Sequence, residues 1–285
     1  MYCGGDMGNI LIGWPNRVDS ATLSGGSWQL PLNNLKNRDQ WVVARSTDLT
    51  TTNTVLNLDL GTVRNIRTIA LVNHNLSKTA TWKISLGTTL AGAEVYTSSW
   101  NAAWTLTFDE NTMQWEDVSV WEGIVDDDFI NYPYIVSFVL PDWYNVRYVR
   151  IEINDTANTE GYIEIGRLFV GGGFTPKYNA EYGLQDSWED KSEIVESISG
   201  ATLAVLNRRY RKVQFVLPML AQTEADIIHE IQRRQGLYGE VLYIPDISDQ
   251  SQNQRYGMLG RLSELSPIEY PYYKNRSVAF VIKEL

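Results

Sequence analysis

Residues 56–60, LNLDL, decide the fold because leucine alternates with the polar residues Asn57 and Asp59 along the stretch. The same alternation recurs in residues 82–86 (WKISL) and 149–153 (VRIEI). Successive side chains of a strand point to opposite faces, so each stretch predicts a strand with one buried face.

Polar, turn-rich segments at residues 61–65, 73–80 and 154–161 lie between these strands. No strong helical pattern occurs before residue 172. Parallel strands need crossover connections that are usually helical, so the pattern predicts an antiparallel β-sandwich.

Three glycines and a proline in residues 171–176 (GGGFTP) follow the apolar stretch 163–170. Such a change in composition is typical of a domain boundary. We therefore predict a β-sandwich domain over residues 1–172 and a second domain over residues 173–285.

The second domain is predicted to be α+β and mostly β, with one substantial helix near residues 223–235. Thr223 is its predicted N-cap, with Asp226 three residues later, and Gly236 its stop. Its predicted apolar face comprises Ile227, Ile228 and Ile231. Apolar stretches at residues 213–217, 241–244, 258–262 and 278–282 predict the strands.

Composition and charge exclude several functional classes. The 285 residues carry a formal net charge of −10, which opposes a nucleic-acid partner. The single cysteine, Cys3, forms no internal disulfide, which is compatible with a reducing cytoplasm. Apolar runs such as Tyr134–Leu140 are too short to cross a bilayer, so neither membrane insertion nor export is expected.

Catalysis by a histidine base is not expected, since the chain contains only His74 and His229. His229 lies within the predicted helix, and His74 lies in a turn sequence, Asn73-His74-Asn75. Neither a Cys/His nucleophile pair nor a zinc site can be assembled around Cys3.

Asp126, Asp127 and Asp128 form the densest acidic cluster. A glycosidase needs two carboxylates across a sugar ring, whereas adjacent carboxylates repel one another and alternate in direction. A solvated loop or a structural Ca²⁺ site is therefore favoured, and no other cofactor is expected.

Aromatic residues crowd the segment from residue 100 to residue 143. The candidate ligand-binding residues are Trp100, Trp104, Trp115, Trp121 and Tyr132. Aromatic rings offer large faces to sugar rings, but isolated tryptophans also fill cores and subunit contacts. Both interpretations remain open from the sequence.

A basic stretch stands out in an acidic chain. Its cations, Arg208, Arg209, Arg211 and Lys212, are candidate contacts to acidic neighbouring subunits. The alternative is a solvated edge strand that is protected against unwanted pairing.

Several strings together resemble the minor tail proteins of tailed bacteriophages. Residues 32–46 (LNNLKNRDQWVVARS), 58–76 (LDLGTVRNIRTIALVNHNL) and 148–170 (YVRIEINDTANTEGYIEIGRLFV) resemble a discoidin-type, galactose-binding-like jelly roll. Residues 208–217, 232–245 and 256–267 are similar to the C-terminal part of the same tail proteins.

The resemblance implies a nonenzymatic structural subunit of the virion tail, at or near the tail tip or baseplate. It implies other tail proteins as partners in a symmetric assembly, with a sugar-binding-like domain facing outward. It does not itself imply sugar binding; contact with a host surface glycan is expected from the aromatic residues on the loops. Two alternatives are a carbohydrate-active depolymerase and a free-standing lectin without an assembly role.

Overall fold

The computed structural model describes residues 8–90, 92–105, 135–196, 202–205 and 207–285. The internal contacts of the chain divide it into two units. Unit 1 extends to Phe174 and also includes the separate segment Ile244–Gly257. Unit 2 comprises Thr175–Tyr243 and Met258–Leu285.

The described residues of unit 1 contain ten strands. They are β1 (Leu11–Asn16), β2 (Thr22–Ser24), β3 (Trp28–Leu30), β4 (Ala44–Ser46), β5 (Val55–His74), β6 (Thr81–Gly87), β7 (Tyr96–Thr97), β8 (Asn101–Ala102), β9 (Ile135–Asn154) and β10 (Glu164–Phe174). Short 3-10 helices cover Val18–Ser20 and Leu32–Lys36.

The long strands β5 and β9 bend together and form the sandwich. The first part of β5 pairs antiparallel with the last part of β9, and the second part of β5 pairs with the first part of β9. The register shifts between Asp59 and Arg64, where Gly61 adopts a positive φ of 75°. Glycine reaches this conformation without a steric cost. One pair of long antiparallel strands, distant in sequence, therefore extends through the sandwich.

The inward-facing residues of both layers form one core. It contains the alternating apolar residues predicted from the sequence, including Leu56, Leu58, Ile84 and Ile151, all fully buried. The prediction of a mainly β chain with an N-terminal antiparallel sandwich is confirmed.

Gly171, Gly172 and Gly173 lie inside β10, which pairs with β1 and β5, and all three are buried. A Cβ atom at Gly171 would lie 2.4 Å from the carbonyl oxygen of Pro15. The glycines at the predicted boundary therefore belong to a buried strand that ends at Phe174. They permit a close approach between two strands.

Unit 2 contains a five-stranded antiparallel sheet, a separate hairpin and a long helix. In chain order these are β11 (Gln185–Asp190), β12 (Glu193–Glu196), β13 (Thr202–Val205), β14 (Arg209–Leu220), α1 (Gln222–Gln235), β15 (Glu240–Ile244), and, after α2 (Gln250–Tyr256) of unit 1, β16 (Met258–Leu262) and β17 (Arg276–Glu284). The strand order in the sheet is β11-β14-β17-β16-β15, and among the described residues β12 and β13 form a separate two-stranded sheet.

Helix α1 begins at Gln222, and its N-cap is Ala221 rather than the predicted Thr223. Glu224 accepts a hydrogen bond from the backbone N–H of Ala221 at 2.8 Å and occupies the first turn. A carboxylate in this position satisfies a free N–H and complements the helix dipole. The buried face comprises Ala225, Ile228 and Ile231, whereas Ile227 is exposed.

Helix α2 was not predicted, because its sequence, QSQNQRY, has no apolar stripe. Its N-cap, Asp249, accepts hydrogen bonds from the backbone N–H groups of Ser251 and Gln252. Neither helix of the described residues is long and apolar enough to span a membrane.

Candidate functional site

One end of the unit 1 sandwich gathers polar and aromatic side chains. Glu164 at the start of β10 pairs in register with Arg45 of β4, and the neighbouring Ile165 pairs with His74 at the end of β5. The strand ends therefore place residues from three distant parts of the sequence side by side.

Arg45 is the central cation of this end. Its Nε donates a hydrogen bond of 2.6 Å to Oε1 of Glu164, and its guanidinium carbon lies 4.2 Å from the centre of the Tyr162 ring. The carboxylate and the ring hold a planar group with five N–H donors in a fixed orientation. Both Arg45 and Glu164 remain partly exposed.

Asn75 connects this ion pair to the polar loop that follows β9. Its Nδ2 donates to Oε2 of Glu160 at 2.7 Å and to the carbonyl of Tyr162 at 3.1 Å. Its Oδ1 accepts from the backbone N–H of Glu164 at 2.7 Å. The hydrogen bonds of Asn75 therefore hold the loop after β5 against the loop between β9 and β10.

Asp155, at the start of the loop between β9 and β10, anchors that loop by hydrogen bonds. It is buried and accepts hydrogen bonds from the N–H of Ser77 at 2.8 Å, from the Ser77 hydroxyl, and from Nδ2 of Asn158 at 3.3 Å. Its oxygens are engaged by protein donors, so its role here is structural. Within the described ranges, no three His, Cys, Asp or Glu side chains form a metal site.

Trp41 provides an exposed aromatic face at this end, with 59% of its surface accessible. The adjacent Gln40 anchors its loop, because its carbonyl accepts a hydrogen bond of 2.7 Å from Nδ2 of Asn73. The same carbonyl lies so close to Gly166 that a Cβ atom there would be 2.0 Å away. The Gln40 side chain is buried, and its Oε1 has no hydrogen-bond partner among the described residues.

We call this set of residues the loop-end patch. It comprises Trp41, Arg45, Asn75, Glu160, Tyr162 and Glu164. It combines an exposed aromatic ring with fixed donors and acceptors. Such a surface can stack on an apolar face of a ligand while its polar groups bind neighbouring hydroxyls.

The predicted aromatic residues have different environments. Trp100 is 45% exposed, between β7 and β8. Trp104 is buried in the core, where its Nε1 donates to the carbonyl of Leu76 at 3.0 Å and its ring meets the His74 ring edge-on. Its faces are therefore used in packing. Trp115, Trp121 and Tyr132 lie outside the described residues, as do the candidate metal ligands Asp126, Asp127 and Asp128.

The basic stretch forms the first part of β14, which has a paired strand on each side. Arg211 is buried, whereas Arg209 forms an ion pair of 3.1 Å with Asp190 of β11. The interpretation as an edge strand is wrong, because β11 covers this side of the sheet. Arg208 and Lys212 are half-buried.

The sequence predicts only part of the loop-end patch. The turn sequence around Asn75 and the polar loop around Glu160 were recognised, but as turn formers. Trp41 is an isolated tryptophan, and Arg45, Tyr162 and Glu164 belong to strings that suggested only the fold. Strand register brings Arg45 and Glu164 together, and the Tyr162 ring meets Arg45 from the adjoining loop; the sequence shows neither contact.

No protein-family model matches the chain, and no curated protein is a significant match. Among solved structures, a CBM32 module of Clostridium perfringens, CpGH89CBM32-6, has 16% identity and a TM-score of 0.33, covering 55% of this chain and 98% of its own. The family 32 carbohydrate-binding module of C. perfringens NanJ, in complex with galactose, has 12% identity and a TM-score of 0.34, covering 56% and 98%.

The lectin domain of lectinolysin, in complex with Lewis B antigen, has 14% identity and a TM-score of 0.33, covering 55% of this chain and 95% of its own. At these identities and TM-scores, the similarities assign neither a ligand nor a function to this chain. The site must therefore be judged on its own geometry.

Proposed function

We propose that this protein is a nonenzymatic structural subunit of a bacteriophage tail, at or near the tail tip or baseplate, whose unit 1 binds a host surface glycan. The loop-end patch carries the glycan half of the proposal. Trp41 offers a stacking face, Arg45 retains N–H donors beyond those bonded to Glu164, and the partly exposed carboxylates of Glu160 and Glu164 offer acceptors to hydroxyl groups, while Asn75 holds the loop in place.

The tail half of the proposal is supported by the resemblance of the sequence strings to tail proteins and by the surface of unit 2. That unit exposes an unusual set of large side chains. They are Tyr178, Tyr182, Trp188, Ile194, Val195, Val205, Met219, Tyr238, Tyr270, Tyr272 and Tyr273. Exposed apolar and aromatic surface of this extent is typical of a protein that is covered by partners.

A nonenzymatic role agrees with the bonding of the carboxylates in the loop-end patch. Glu164 is paired with Arg45, and Glu160 accepts from Asn75. Both groups hold protein partners and lie in an open patch, whereas a depolymerase needs an acid and a base directed at one bond. A free-standing lectin remains the second candidate, since the loop-end patch lies wholly within unit 1.

Glycan binding is tested by screening the full chain on an immobilised glycan array and titrating the best-binding oligosaccharide by calorimetry. We expect Trp41→Ala to weaken binding about fivefold, because an aromatic contact contributes on the order of 1 kcal/mol. Trp100→Ala, at another exposed tryptophan, is the matched control, and we expect it to bind like the wild type. Loss of binding in Trp100→Ala alone would place the site at the predicted aromatic segment instead.

The tail role is tested by mass spectrometry of purified phage particles and by immunogold labelling. We expect the chain in the particles, with label at the tail tip. A protein that binds glycan but is absent from particles would be a free-standing lectin. Release of reducing ends from the bound polysaccharide would instead identify a depolymerase.

A further inference from the structure

The segment Asn73-His74-Asn75, at the end of β5, connects two halves of the loop-end patch. One half is the exposed ring of Trp41, and the other is the group of polar side chains around Arg45. The sequence predicts only a turn at this segment. In the structure, each of its two asparagines is bonded to a different half of the patch.

Asn75 is bonded to the polar half. Its Oδ1 accepts from the backbone N–H of Glu164 at 2.7 Å, and its own backbone N–H donates to the carbonyl of Glu164 at 3.3 Å. His74, between the asparagines, is buried, and its ring meets that of Trp104 edge-on at 5.5 Å. The segment is therefore anchored in the core of unit 1 and gives both halves a fixed reference.

Asn73 is bonded to the turn of residues 39–42, which carries Trp41. Its Nδ2 donates to the carbonyl of Gln40 at 2.7 Å. Asn73 has a positive φ of 54°, which asparagine adopts more readily than most residues that carry a side chain. Gly166 leaves room for the same carbonyl, because a Cβ atom there would lie 2.0 Å from it. Unusual backbone geometry of this kind often occurs at ligand sites.

The local hydrogen bonds of the turn set its shape but not its place on the sandwich. The N–H of Trp41 donates to Oδ1 of Asp39 at 3.1 Å, and Nδ2 of Asn34 donates to the carbonyl of Val43 at 2.8 Å. All of these groups lie in the same stretch of chain as the turn. Asn73 lies on β5, so its bond fixes the turn against the sheet.

We propose that Asn73 is a positioning residue of the loop-end patch, which sets the place of the Trp41 ring relative to the polar half. A sugar that stacks on the ring while bonding the polar groups needs both at one spacing. Fixing that spacing before the ligand arrives lowers the entropy cost of binding. The inference rests on the glycan half of the proposed function and assigns a binding role to a residue outside the patch.

The test uses two variants at this position in the full chain. Asn73→Gly removes the amide, and glycine adopts the positive φ freely. Asn73→Asp keeps the shape of the side chain, but its carboxylate cannot donate to the Gln40 carbonyl. Asn101→Gly is the matched control, since Nδ2 of Asn101 donates to the carbonyl of Ser99 at 3.0 Å beside the other exposed tryptophan, Trp100.

Calorimetric titration with the oligosaccharide selected on the glycan array is the first measurement. We expect Asn73→Gly to weaken binding about threefold, because the released turn must be ordered when the sugar binds. Asn73→Asp should weaken it at least as much, and Asn101→Gly should bind like the wild type. Thermal melting without ligand confirms that each variant is folded.

A double-mutant cycle with Trp41→Ala separates positioning from a general structural effect. If Asn73 acts through the Trp41 ring, Asn73→Gly has nothing left to misplace once the ring is gone. We therefore expect the double variant to bind about fivefold more weakly than the wild type, as Trp41→Ala alone does. Independent effects would multiply to about fifteenfold.

Multiplied losses in the double variant, or wild-type affinity in either Asn73 variant, would overturn the inference. The fivefold effect of Trp41→Ala would in that case leave the glycan proposal intact. A wild-type chain without glycan affinity, or a Trp41→Ala variant that binds like the wild type, would refute the proposed use of the patch and this inference with it.

Discussion

Single residues account for the tightest constraints in unit 1. Gly171 and Gly173 of β10 allow β1 to approach, since a Cβ atom would lie 2.4 Å from an oxygen of Pro15 in the first case and 2.9 Å from the Leu11 side chain in the second. Glycine in a strand is usually destabilising, but here the absence of a side chain makes strand packing possible. The glycines that mark the predicted domain boundary in the sequence thus allow two strands to pack closely.

His74 makes the stability of unit 1 depend on pH. Burial lowers the pKa of its imidazole from 6.5 to about 3, and its Nδ1 accepts from the N–H of Leu76 at 3.3 Å. Between these two pKa values the unfolded chain binds a proton that the folded chain does not. The free energy of unfolding therefore rises with pH through this window and levels off above the higher value.

We expect this contribution to fall by about 1.4 kcal/mol per pH unit as the pH drops through the window. His74→Asn removes the titration, while an amide oxygen can replace Nδ1 as the acceptor. Urea unfolding from pH 7 to about pH 4 should show a flatter dependence for the variant than for the wild type. Parallel curves would show that the buried imidazole does not determine the acid sensitivity.

Strand pairing decides the role of the charged residues in unit 2. Arg209 pairs with Asp190, and Lys283 reaches Glu189 at 2.8 Å, so the acidic strand β11 neutralises cations of its neighbours. Arg211 is buried and its backbone N–H donates to Glu284 at 3.1 Å. Much of the basic stretch is therefore used within the unit.

The first turn of α1 depends on one carboxylate. Glu224 accepts from the N–H of Ala221 at 2.8 Å and from the N–H of Lys177 at 2.7 Å. We expect Glu224→Ala to reduce the free energy of unfolding by about 1 kcal/mol, measured by urea denaturation. Glu224→Gln keeps an acceptor but loses the charge, so its effect should be smaller. Equal losses in both variants would assign the effect to charge alone.

At the scale of the whole molecule, the two units are not separate segments of the chain. Unit 1 extends to Phe174 and also includes Ile244–Gly257, a segment that lies in the sequence between the two parts of unit 2. Within unit 1, Gln254 accepts hydrogen bonds from the N–H and the hydroxyl of Thr105, both at 3.0 Å, and donates to the carbonyl of Ala103. Gln250 donates to the carbonyl of Ser137 at 3.3 Å.

This arrangement predicts how the protein responds to a single cut. A protease site inserted after the exposed Tyr178 would leave the second fragment carrying helix α2, which completes unit 1. We expect the fragments to elute together in size-exclusion chromatography and to separate only in denaturant. Gln254→Ala should promote separation. Two folded fragments that separate without denaturant would support the contiguous domains predicted from the sequence.

By itself, the sequence determined the mainly β character, the paired strands of the sandwich and the main helix. Period-two alternation and an apolar helix face are local patterns. Burial of the apolar face stabilises such a strand or helix whichever distant segment covers it. Residues 56–60 and 149–153 are examples, since their alternating faces enter the core as predicted. The glycan and tail roles remain proposals at this level.

Only the tertiary structure decided which residues meet. Arg45 and Glu164 of the loop-end patch meet through the register of β4 and β10, and a shift of one residue would turn both side chains to the other face. Asn75 joins them through hydrogen bonds of the adjoining loops. The role of the three glycines and the insertion of α2 into unit 1 depend likewise on contacts between distant segments. Such contacts leave no periodic signal in the chain, because they are set by packing.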